Sequence, residues 1–168
     1  MKIRHSKIED LDTMYAIYER AKQYMIDTGN PNQWNDPSYP GDVLKEDIAN
    51  DYSYIIEDDG EIVGTFVFII GDDPTYNIID DGEWYDNVKP YGTIHRIASS
   101  GTKKGVMQAC LDWCFKQIDN VRIDTHEDNK TMLNIFEKNG FKRCGIIYLM
   151  NGDPRIAFQK IIQPEDKQ

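Results

Sequence analysis

Residues 93–105, TIHRIASSGTKKG, carry the types and spacing best suited to chemistry. A short apolar strand there runs into a small, basic, glycine-bounded loop that opens a helix. Small residues let a backbone approach an anion, the first amides of a helix have no partner within it, and the helix dipole favours negative charge at that end. Lys103 and Lys104 add two cations. A triphosphate-binding loop would close on a Lys-Ser or Lys-Thr pair, and a dinucleotide fingerprint needs three spaced glycines; neither spacing is present. These residues predict a ligand with a pyrophosphate but no magnesium-bound triphosphate, for which coenzyme A is the candidate.

Periodicity indicates the elements that must present this loop. Residues 2–4 read as a short strand, and Ser6 with Glu9 has the spacing of a capping box, predicting a helix start there. Leu11, Met14, Tyr18, Ala21 and Met25 then form one apolar stripe that ends before Gly29. Residues 29–41, GNPNQWNDPSYPG, read as a loop with two large aromatics, Trp34 and Tyr39, before a brief helix with Leu44 and Ile48 on one side. An Asp-Gly turn at 58–60 joins strands 52–57 and 61–70 in a hairpin. The acidic segment 71–87 reads as a long solvated connection with one short strand piece, although its charges would also suit a cationic substrate.

After the strand 92–98 and the loop, Met107, Leu111, Cys114 and Ile118 have helical spacing, and 121–124 supplies another strand. Strand, crossover helix and strand imply parallel pairing. A helix over 129–138 stops at Asn139-Gly140. Strands 141–149 and 155–161 complete the chain, and the tail from 163 is expected to fray.

The 168 residues suit one domain, read as 1–162. No apolar run approaches the roughly 20 residues of a membrane helix, and the opening MKIRHSKIED lacks the apolar stretch of a secretory signal. A cytoplasmic protein without membrane partners is expected. Cys110, Cys114 and Cys144 contain no C-x-x-C pair and read as reduced core residues. The formal net charge of −10 counts against nucleic acid and leaves open a cationic partner or simple solubility.

In this order of elements the chain resembles the GNAT superfamily of N-acetyltransferases over nearly its whole length. That family's coenzyme loop reads Gln or Arg, two residues, Gly, one residue, Gly or Ala. Thr102-Lys103-Lys104-Gly105-Val106-Met107 occupies it and keeps the central glycine. A second family segment, Asn-x-x-Ala-x-x-Leu-Tyr-x-Lys-x-Gly-Phe, is followed in register from Asn129 to Phe141: Asn129, Lys138, Gly140 and Phe141 match, Met132 replaces the alanine, and Ile135 and Phe136 replace the Leu-Tyr pair. In relatives that tyrosine hydroxyl is often placed to protonate the leaving thiolate, a role Phe136 cannot fill.

The resemblance implies an α/β (α+β) fold with a mixed, mostly antiparallel central sheet flanked by helices and splayed in the middle to admit acetyl-CoA. It implies direct acetyl transfer to an amine on a small molecule or a peptide, with no metal, and leaves a homodimer open. Cofactor binding falls to Ile97, Ala98, Thr102, Lys103, Lys104, Gly105, Val106, Met107, Asn129, Phe136 and Lys138, with unpaired amides around residues 96–98 meeting the pantetheine arm and the acetyl oxygen. An alkylamine is almost wholly charged at neutral pH, so a base is useful. His95 is the first choice, equally suited to a hydrogen-bonded core position; alternation puts it with Thr93 and Ile97 on one strand face and Ile94, Arg96 and Ala98 on the other. His126 and Glu127 are weaker candidates, and His5 reads as surface. Arg96 would pair Asp124 or the substrate, or else reach the surface. Trp34 and Tyr39 would close the acceptor pocket or cover the core, and Asn129 would bind the coenzyme or cap a helix. Phe136 and Met107 motivate the rival reading of a non-catalytic acyl-CoA sensor of the same fold; a nucleotide-binding protein of another fold is a third.

Overall fold

The computed structural model describes residues 1–163; the expected frayed tail lies outside the described residues from 164 on. The strands are β1 (Lys2–His5), β2 (Ser53–Asp58), β3 (Glu61–Ile70), β4 (Gly92–Ser99), β5 (Asn120–Thr125), β6 (Lys142–Tyr148) and β7 (Pro154–Ile161). The helices are α1 (Leu11–Asp27), α2 (Val43–Ala49), α3 (Val106–Gln117) and α4 (Lys130–Lys138). Hydrogen bonding orders the strands β1-β2-β3-β4-β5-β7-β6 in one sheet. The pairs β1·β2, β2·β3, β5·β7 and β6·β7 are antiparallel, and β4·β5 is parallel as the crossover helix requires. This is the expected mixed, mostly antiparallel α/β architecture. The chain forms two compact units, one of residues 1–69 and 94–114, the other of 70–93 and 115 onward.

In the first unit, α1 buries Leu11, Met14, Ile17, Tyr18 and Ala21 against Leu44, Ile55 and Ala98. Each large side chain removed from water contributes roughly 1.5–3 kcal/mol, so this stripe is the main reason the helix forms. Its start differs from the capping box expected at Ser6 and Glu9. The Ser6 hydroxyl is 2.7 Å from that of Ser53, and a short 3-10 turn, Ile8–Asp10, precedes the helix. The Asp10 carboxylate accepts the Lys7 amide at 2.7 Å and the Arg4 guanidinium at 2.8 and 2.9 Å. The cap position falls on Lys7, one residue later, and Asp10 takes the reciprocal role expected of Glu9. In the β2–β3 turn, Asp59 and Gly60 have φ 50° and 80°, the two left-handed residues of a tight hairpin. On the same sheet, Trp113 of α3 packs against Tyr54, Phe66 and Phe68. Gly64 of β3 makes room for the start of α3: a Cβ there would stand 2.6 Å from Val106 Cγ1 and 3.2 Å from the Ala98 carbonyl.

In the second unit, the acidic segment is the expected solvated connection, pinned by two buried aromatics, Tyr76 and Trp84. Tyr76, Trp84 and Tyr91 are buried with Cys144, Ile147 and Ala157. The guanidinium of Arg122, itself buried, lies 4.0 Å from the Trp84 ring and 3.9 Å from the Tyr91 ring. The expected strand piece is a single bridge, Asp80↔Ile146. The aspartates at 72, 80 and 81 and Glu83 stay exposed.

All three cysteines are free and buried. Burial pushes the Cys110 and Cys144 thiols above their ordinary value. Among the described residues no helix is long and apolar enough to cross a membrane.

Candidate functional site

The loop between β4 and α3 is exposed from Gly101 to Gly105, and Val106, the first helical residue, is buried. Ala109 donates to the Gly105 carbonyl at 2.9 Å; the amides of Val106, Met107 and Gln108 come before that first bond, where no helical carbonyl can accept them. Gly105 has φ 84°, and nothing lies within 4 Å of where its Cβ would be. Backbone and helix end are therefore both approachable. Three amides of the loop are already engaged. Ser100 donates to the Val63 carbonyl at 2.8 Å, Gly101 to the Ser99 hydroxyl at 3.1 Å and Thr102 to the Ser100 hydroxyl at 3.3 Å. These three bonds shape the loop ahead of the helix start.

Cations gather here in a way the sequence shows only in part. Lys103 Nζ is 3.7 Å from the Asp58 carboxylate, and the Thr102 hydroxyl donates to Glu61 at 3.3 Å. Arg20, from α1, donates to the Ser99 carbonyl at 3.2 Å, and its guanidinium fills the space beside Gly101, where a Cβ would come within 2.2 Å of it. Sequence reasoning missed Arg20 because it lies 79 residues from its partner on the exposed side of a helix.

β4 is not a regular strand. Arg96 has φ 49°, a left-handed value rare outside glycine, so the two-residue alternation predicted for 93–98 does not run through it. Two contacts hold it. The Tyr18 hydroxyl donates to the Arg96 carbonyl at 2.5 Å, and the Arg96 guanidinium grips Asp47 with Nε to Oδ2 at 3.0 Å and a second nitrogen to Oδ1 at 2.9 Å. Asp47, on α2, is thus the carboxylate partner; Asp124, one of the alternatives read from the sequence, accepts the Tyr76 hydroxyl at 2.7 Å. Burial raises the Asp47 carboxyl above its ordinary value, while Arg96 and then His95 pull it back. Burial likewise pushes the Tyr18 phenol up, keeping its proton as a donor. His95 and Ile97 are half-buried and Ala98 buried.

Trp34 and Tyr39 stack on each other, centroids 5.1 Å apart, and Trp34 meets the edge of Tyr18 at 5.6 Å. The 29–41 loop thereby covers the core beside α1, with Tyr15 donating to the Gly41 carbonyl at 2.9 Å. His5 packs on Tyr54.

In the second unit, Asn129 caps α4, accepting the Met132 amide at 3.1 Å. Phe136 is fully enclosed against Phe141 and Phe158, and Lys138 is exposed. His126 Nδ1 accepts the Asp128 amide at 3.0 Å, and Glu127 is exposed. Among the described residues, no group of three His, Cys, Asp or Glu side chains could hold a metal ion.

The model of the acetyltransferase (GNAT) family matches residues 11–141. The chain belongs to the GNAT acetyltransferase family. A GNAT acetyltransferase from Streptococcus agalactiae 2603 is 30% identical over 96% of this chain and 95% of that one, with a TM-score of 0.87. A putative acetyltransferase from Staphylococcus aureus Mu50 is 26% identical over 97% of this chain and all, 100%, of that one, with a TM-score of 0.70. At 17% identity and a TM-score of 0.58, over 97% of this chain and 100% of that one, a chain of the NatC complex bound to Gag peptide and CoA shares the fold. No curated protein matches the chain. For a GNAT protein the loop before α3 and the distorted β4 are the informative features, and Tyr18, Arg20 and Asp47 are the residues around them that no motif announced.

Proposed function

We propose that this GNAT protein is an N-acetyltransferase that moves acetyl from acetyl-CoA to the amine of a small molecule or peptide by direct transfer. The observation that carries the reading is the start of α3: three amides without helical acceptors, an open glycine before them, and Lys103, Lys104 and Arg20 around the same loop. Such an end attracts a pyrophosphate through hydrogen bonds and dipole together. Thr102, Lys103, Lys104, Gly105, Val106 and Met107 would hold it, and the amides of Ile97 and Ala98 would hold the acyl end.

Acetyl-CoA, when bound, supplies an activated acyl group; the chain's own residues do the rest. Preorganised amides on β4 stabilise charge on the acyl oxygen, commonly the largest catalytic contribution. His95, next to the distorted residue, takes a proton from the incoming ammonium, directly or through water. Trp34 and Tyr39 give the acceptor an aromatic surface. Phe136 brings no hydroxyl, so the leaving thiolate takes its proton from another group or from water. The same phenylalanine favours the second reading, an acyl-CoA sensor that binds without turnover.

Calorimetric titration with CoA and with ATP, followed by thiol release from acetyl-CoA over a panel of amines, tests both. CoA binding with amine-dependent thiol release is expected. Binding without release for any amine would favour the sensor, and a preference for ATP would overturn both.

A further inference from the structure

We infer that Tyr18 is a positioning residue: its hydroxyl, by capturing the Arg96 carbonyl, fixes the direction of the Ile97 amide that meets the acyl oxygen of the bound thioester. This rests on the acetyl-CoA reading above but concerns a residue on α1 that no motif assigns.

The argument is stereochemical. In a trans peptide the carbonyl of one residue and the N–H of the next point in opposite directions across one rigid plane, and the cis bond recorded is Tyr39-Pro40, far from this position in sequence. The hydroxyl at 2.5 Å draws the Arg96 carbonyl towards α1, so the Ile97 N–H points away from α1. In a regular strand both groups would lie in the plane of the sheet and serve the ladder. A left-handed φ on a residue with a side chain is unfavourable and persists where surrounding contacts determine it. Here those contacts are Tyr18 on the carbonyl and Asp47 on the guanidinium, with Asp47 buried. Tyr18 is itself immobilised: 1% exposed within the α1 core, its ring is braced edge-on by Trp34. It therefore also joins the 29–41 loop to the distorted strand, giving an acceptor that moves Trp34 a route to the acyl-binding amide.

Tyr18→Phe removes only the hydroxyl and keeps the ring packing. The test measures CoA and acetyl-CoA affinities by calorimetry, and the carbonyl stretch of acetyl-CoA carrying a 13C-labelled thioester carbon by infrared difference spectroscopy. In the unaltered protein the bound stretch is expected at lower wavenumber than in water, as hydrogen bonding to the oxygen demands. In Tyr18→Phe that displacement is lost, and the preference for acetyl-CoA over CoA falls about fivefold, the worth of one neutral hydrogen bond, while CoA affinity stays within about twofold. An unchanged stretch and preference would overturn the inference. A second measurement needs no variant. With 15N-labelled isoleucine, the Ile97 amide resonance should shift differently with acetyl-CoA than with CoA, and identical shifts would overturn the inference even if Tyr18→Phe failed to fold. If the unaltered protein bound no CoA, the acetyl-CoA reading itself would fall; binding of both forms with an indifferent Ile97 sinks the role of Tyr18 and that of the Ile97 amide, and leaves acetyl-CoA binding standing.

Discussion

Two glycines, one in each unit, have positive φ for opposite reasons. Gly105, at φ 84°, has nothing within 4 Å of its missing Cβ. Gly82, at φ 150°, would drive a Cβ to within 2.0 Å of the Cys144 carbonyl, beside the bridge between Asp80 and Ile146. The second is glycine because another backbone already fills the space. The first is glycine where the space is empty, which suits a ligand's approach. A positive φ alone does not tell a packed glycine from an open one; the surroundings do.

Substituting each glycine tests that distinction most severely. Gly82→Ala should cost about 3 kcal/mol or more, since backbone must move on both sides of the bridge, and chemical denaturation would read the loss. Gly105→Ala should cost only about 1–2 kcal/mol of left-handed strain, yet weaken CoA about tenfold in calorimetry; a bulkier residue should abolish binding. If Gly105→Ala bound CoA as the unaltered protein does, the contrast would collapse.

The cation beside each turn sharpens the comparison at lower cost. Arg20→Met should weaken CoA about threefold, with a larger effect at low than at high ionic strength. Arg143, 3.2 Å from Asp81 in an exposed pair, should give no change in CoA affinity on substitution by Met and less than about 0.5 kcal/mol in stability.

The smallest effect concerns acid stability in the unit that carries Gly105. Arg4 holds the Asp10 carboxyl below its ordinary value, so the pair's contribution is fully present above about pH 4 and is lost as pH falls through the lower, folded value. Asp10→Asn should therefore flatten the acid limb of the stability profile, by under about 1 kcal/mol for a pair this near the surface, while leaving CoA binding at neutral pH unchanged.

Much of this was legible beforehand, and the reasons are specific. The segment from Asn129 to Phe141 kept its register because a helix, its cap and its glycine stop are written in consecutive residues. The loop from Thr102 to Met107 was legible for the same reason. The distortion at Arg96 was not, because glycine is the usual signal of a left-handed residue and here two remote side chains hold it. Asp47 is 49 residues away and Tyr18 is 78, distances at which a single sequence has no periodicity to offer. Ser6 misled for a related reason: its spacing to Glu9 is local, whereas its partner, Ser53, belongs to a neighbouring strand. The acidic segment hid its anchors because its aspartates and glycines signal a turn, while Tyr76 and Trp84 hold it down.

The three thiols lie inside the protein, so dyes that react with them should find almost nothing to modify in the folded chain. A cysteine introduced at Lys103 would then be the one that labels readily, and a fluorophore attached there would sit on the loop before α3 with little background from elsewhere.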